Sequence, residues 1–247
     1  MALARASSRH REWWVVAIAL AAWGIVVAPY VWPGEPIAVH HHAGHHMPSA
    51  STPSAAESYL HAGTAWSSMV LAMMLLVGVP RVRYVAAVCP GRIRTRAIAQ
   101  TVAGVVLVWL VLGMVVSVIP VVVPTVTAGG ATVAFVAIWL VAAAWQLTPW
   151  KWTALLRCHS VRVPRRDADG WARVGAGAVH GAWCVASCGP AMVAMVLTGH
   201  PLVLMVGLTI GLATERVATR PARAIRLVAA TTAALALAAA GAGSLGA

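Results

Sequence analysis

Apolar residues run almost unbroken through seven stretches of the chain, at about 13–31, 60–79, 98–123, 131–148, 174–197, 202–215 and 224–243. An α-helix rises 1.5 Å per residue, so about 20 apolar residues cross a ~30 Å hydrocarbon layer. The stretches are therefore predicted to be membrane helices, the sixth being the shortest. Strand-length alternation punctuated by turns, the mark of a membrane β-barrel, does not occur in them. The expected fold is all-α, a polytopic membrane bundle of about seven transmembrane helices.

Composition agrees. Of 247 residues, 60% are hydrophobic and only 10% charged, where a soluble domain carries about 25% charge. The mean hydropathy is +0.81. Soluble, disordered, collagen-like and disulfide-framework classes are excluded. The formal charge of +12 would suggest nucleic acid, but the positions of the basic residues give it another meaning. Arg5, Arg9 and Arg11 precede the first stretch; the remaining Lys and Arg fall at 81–96, 151–173 and 216–226. Every second connection thus holds basic residues and the others hold none, an undiluted positive-inside pattern. It predicts an N-terminus inside, a C-terminus outside, and residence in the cytoplasmic membrane with contacts to lipid headgroups. No nucleic-acid partner is expected. Trp13, Trp14, Trp32, Trp150, Trp152 and Trp171 fall near the predicted interfaces, where amphipathic rings are favoured.

Four regions follow: an N-terminal anchor helix (1–31), an outer His-rich loop (32–59), a membrane core (60–217) and a C-terminal Ala-rich helix (218–247). The first apolar stretch exceeds a signal-peptide core and no small-x-small site follows it, so it reads as a retained anchor. Gly177-x3-Gly181 and Gly207-x3-Gly211 are spaced for close helix packing.

The outer loop carries His40, His41, His42, His45, His46 and Met47. Neutral imidazoles bind Cu, Zn and Ni, and several on one flexible loop can fold around an ion. The alternative is a solvated or pH-sensitive polar loop. The second apolar stretch opens at His61 and carries Met69 and Met73 one turn apart, with Met74 beside them. Thioethers suit Cu(I) and are poor ligands for Zn, although Met also fills gaps in ordinary cores. The fifth stretch places His180, Cys184, Cys188 and Met192 at successive i, i+4 steps. Each step overshoots a turn by ~40°, and the outer two donors lie ~18 Å apart along the axis, so this helix alone cannot close a four-ligand site. A relay, a site completed by another helix, inert packing or a disulfide all remain open. His200, in the turn after this stretch, could meet His61 at similar depth. Cys89 and Cys158 stand without a second thiol at metal spacing and receive no role. Glu215 is expected to pair with its neighbour Arg216 at the interface. Nucleotide-binding and hydrolase motifs are absent from the sequence, so an enzyme is not expected.

Two motifs carry a resemblance: Trp145-Gln146-Leu147-Thr148-Pro149-Trp150-Lys151 running to Arg157-Cys158-His159, and Gly181-x2-Cys184-x2-Ser187-Cys188-x3-Met192. With Glu215-Arg216 they make residues 60 to 217 resemble a bacterial family of predicted metal-binding integral membrane proteins, domain of unknown function 2182. Ser187 stands where that family has the middle of three Cys, and Gly189-Pro190 and His200-Pro201 also depart from its pattern. The resemblance implies metal handling in the membrane, with copper delivery to extracytoplasmic copper enzymes.

The expected function is thus a copper-binding membrane protein, a metallochaperone or passive Cu(I) carrier, with zinc the less suitable metal. The His loop would collect the ion, the Met, Cys and His donors would hold it, and a copper-dependent membrane or extracytoplasmic enzyme would receive it. The alternatives are a metal-free subunit of a larger membrane complex, with these residues as packing, or a haem protein using His61 and His200.

Overall fold

The computed structural model describes residues 13–31, 54–89, 91–118, 131–160, 164, 168–218 and 221–244. The described residues form nine α-helices, α1 (Trp13–Val31), α2 (Ala55–Val77), α3 (Val79–Val88), α4 (Arg94–Val116), α5 (Ala131–Gln146), α6 (Pro149–Ser160), α7 (Gly170–Leu197), α8 (Leu202–Val217) and α9 (Pro221–Ser244), with a 3-10 turn at Gly91–Ile93 before α4. Each of the seven expected helices has a counterpart. The two additional ones, α3 and α6, fall in basic segments expected to be connections. Their arginines and lysine hide the helical period from an apolarity reading. α6 nevertheless buries Lys151, Ala154, Leu155 and Cys158, the i, i+3, i+4, i+7 stripe of an amphipathic helix.

Helix ends follow local chemistry. Ser54 and Glu57 form a reciprocal capping box at the start of α2, which begins five residues before the expected Leu60 because those two side chains satisfy the first free amides. Asp169 caps α7 by accepting from the Ala172 amide at 2.7 Å, and Pro149 and Pro221 open α6 and α9, where a missing N–H costs nothing. Gly199 and His200 turn the chain from α7 into α8 with positive φ, 73° and 59°.

α1, α2, the 3-10 turn with α4, and α7 are long and apolar enough to cross a membrane, four spans among the described residues. α5 and α6 meet at 60° and together would make a fifth, broken one. α8 has 16 residues, about 24 Å of helix, short of the expected crossing.

α7 is the central helix, packed on α4, α5, α6 and α8; α1 lies on α2, and α9 packs on both α5 and α8. Contact between α4 and α7 is backbone to backbone. A Cβ at Gly104 would strike the Val174 carbonyl oxygen, and one at Gly177 the Thr101 carbonyl oxygen. Gly181 lies against Val105, while Gly207 and Gly211 meet Leu235 and Val228 of α9, so both Gly-x3-Gly pairs pack helices together. Trp66 on α2 donates its indole N–H to the Trp109 carbonyl of α4 at 2.8 Å.

A candidate thiol centre

One buried cluster contains Met69, Met73 and Met74 from α2, Cys158 from α6, Cys184, Cys188, Met192 and Met195 from α7, and Met205 from α8. Six of the nine methionines and three of the four cysteines thus share one core. The α2 thioethers and α7 thiols point into the bundle. Cys89 lies in a separate apolar cluster with Val15, Ala19 and Val85, where it packs as a small hydrophobe.

Cys158, Cys184 and Cys188 share this buried cluster, Cys184 and Cys188 one turn apart on α7. Cys188 also donates to Ser187 Oγ at 3.7 Å, and Ser187 is fully buried. All four cysteines are free. Cys184 and Cys188 come together because they are one turn apart on one helix. Cys158 reaches them because α6 packs its buried stripe against α7, an association reinforced by the Arg157 guanidinium over the Trp183 ring at 4.8 Å.

His180 completes the group. Its Nδ1 donates to the Cys158 carbonyl oxygen at 3.0 Å, which leaves the lone pair on Nε2; the Cys158 Sγ lies 3.5 Å from Nδ1 and 3.8 Å from Nε2. A neutral imidazole whose other nitrogen is tied to a main-chain carbonyl is the arrangement that orients a histidine toward a metal.

Arg216, on α8, inserts a cation into this centre. Its Nη1 donates to Cys158 Sγ at 2.9 Å and its Nη2 to Cys184 Sγ at 3.0 Å. Glu215 does not pair with it. Consecutive helical residues point ~100° apart, so Glu215 turns to Lys151 of α6, with Oε2 2.8 Å from Nζ and both side chains buried. The expected Glu215–Arg216 pair is replaced by two separate links between α8 and its neighbours. His159 adds a third, its ring 3.4 Å from the Arg216 carbonyl.

The remaining expected donors lie elsewhere. Met192 is on the same face of α7 two turns above Cys184, and Met69 and Met73 are buried on α2. His61 is exposed on α2. His200, in the turn after α7, has its pKa lowered from 6.5 to about 4, first by burial and then by the charge of His61; its Nε2 is buried without a hydrogen-bond partner among the described residues. His40, His41, His42, His45, His46 and Met47 lie outside the described residues. Among the described residues, no three His, Cys, Asp or Glu side chains converge as a metal-holding group. The space between Cys158 and Cys184 is filled by the guanidinium.

Sequence reasoning missed Cys158, Arg216, Met195 and Met205. The Lys151-to-Cys158 stripe was the available signal for the first and the Glu215-Arg216 motif for the second; nothing local marks Met195 and Met205, whose proximity depends on how α7 and α8 meet.

No curated protein and no solved structure matches the chain. A match to one family does span residues 63–239 and encloses α6, α7, α8 and every residue of the thiol centre. The chain belongs to the PpoB2 copper chaperone family.

Proposed function

We propose that the protein carries Cu(I) through a membrane-embedded helix bundle and holds it at Cys158 and Cys184, with Cys188 and the Nε2 of His180 as further donors. Thiolate, thioether and imidazole are soft or borderline ligands that favour Cu(I) over oxygen-seeking ions. The observation that carries this reading is the pairing of Cys158 on α6 with Cys184 on α7, their sulfurs 2.9 and 3.0 Å from one Arg216 guanidinium, beside a His180 ring fixed by the Cys158 carbonyl. Without a nucleotide-binding motif, the ion moves by ligand exchange or down its gradient, as a cargo and not as a catalyst's cofactor.

The buried methionines support a route. Met195 and His180 are separated by ~22 Å of helix, with Met192, Cys188 and Cys184 between them on the buried face of α7. Met69 and Met73 flank the route from α2, and Met205 from α8. His61 and His200 stand at the end we assign to the outside, where they collect the ion. Donors extending from there to Cys158 favour passage across the layer over capture on one face, with a copper-dependent enzyme or a second carrier as recipient.

Anaerobic loading of the detergent-solubilised protein with Cu(I), followed by metal analysis and X-ray absorption, tests the reading. Sulfur-dominated coordination, lost in the Cys158→Ser/Cys184→Ser double variant, is expected. Unchanged copper content in that variant would leave the cluster as core packing.

A further inference from the structure

We propose that Arg216 is a built-in competitor of the cargo: its guanidinium fills the gap between Cys158 and Cys184 when no ion is present, and Cu(I) loads by displacing it. This rests on the reading of the thiol centre as the copper site. The two Nη atoms meet the two sulfurs at 2.9 and 3.0 Å, a planar fork set on a pair of soft acceptors in a buried site. A delocalised monovalent cation shared by two sulfurs has the same charge as the ion they would share after loading. With both sulfurs as thiolates, any thiol proton having left to solvent on loading, exchanging one cation for the other leaves the charge between the sulfurs unchanged, which matters because an uncompensated buried charge is costly.

The surroundings provide for the exchange. A cavity of about 30 Å³ lies against the fork, lined by Met74, Arg81, His180, Cys184 and Arg216 among others. It has room for a water molecule or a single ion and brings a thioether, an imidazole and a thiol to one space.

Arg216→Gln removes the competitor while keeping hydrogen-bonding capacity. Competition of the solubilised protein against a chromophoric Cu(I) chelator, at pH 9 where protons compete least for sulfur, should give binding about tenfold tighter than wild type, the scale of a charge-assisted hydrogen bond. Equal or weaker binding would make Arg216 a support of the site and overturn the proposal. A second measurement needs no variant to fold: in wild-type protein labelled with ¹⁵N-arginine, one guanidinium resonance should shift on stoichiometric loading. If none shifts while copper binds, the guanidinium is not displaced. Failure of the underlying reading has a different signature, because Cys158→Ser/Cys184→Ser would then bind Cu(I) as wild type does.

Discussion

Lys151 Nζ and Glu215 Oε2 lie 2.8 Å apart with almost no solvent reaching either side chain. The pair joins α6 to α8. Neither charge could be buried there alone. Lys151→Met should destabilise the protein by roughly 3–5 kcal/mol, because it strands the carboxylate, whereas Lys151→Met with Glu215→Leu should recover most of the loss. Unfolding in mixed micelles would measure both; a single variant as stable as wild type would show that the pair does not hold α6 against α8.

Cys158 should matter as much as Cys184. If the two sulfurs share one ion, Cys158→Ser lowers Cu(I) affinity more than tenfold, and Cys89→Ser, in a separate apolar cluster, leaves it unchanged. Copper-to-protein ratios after mild chelation distinguish the two.

The α4–α7 contact leaves no room for a side chain at Gly104 or Gly177. Gly177→Val should cost about 1–3 kcal/mol through overpacking, since the atoms it meets are backbone and cannot rotate away. Gly175→Val, with nothing within 4 Å of its Cβ position, should cost much less. Melting temperatures of the two variants in detergent check the difference.

His200 supplies a pH dependence. Burial and the charge of His61 hold its folded pKa at about 4, below the ordinary 6.5, so between these values the unfolded chain binds the proton more readily. Its contribution to stability is complete above about pH 6.5 and is lost as pH falls toward 4. His200→Asn keeps a side chain tolerated at positive φ and should flatten this part of the profile. Identical melting profiles for wild type and variant between pH 4 and 7 would contradict the assignment.

The helices were legible from sequence because helix formation in an apolar chain depends on local composition: each of the seven apolar stretches contains one. The face of α7 carrying His180, Cys184, Cys188 and Met192 was equally legible, since 3.6 residues per turn fixes which side chains align. Gly177-x3-Gly181 announced a close contact without naming Thr101 and Val105 as its partners. Which donors meet across helices was decided by tertiary packing alone. α6, concealed in a basic segment, turns its narrow buried stripe to α7 and so brings Cys158 to Cys184. The ~100° between successive residues sends Glu215 to Lys151 and Arg216 to sulfur, although adjacency in sequence suggested that they pair with each other. Periodicity is a property of one helix and can be read along the chain, whereas coordination depends on distances between helices, which the chain order does not contain.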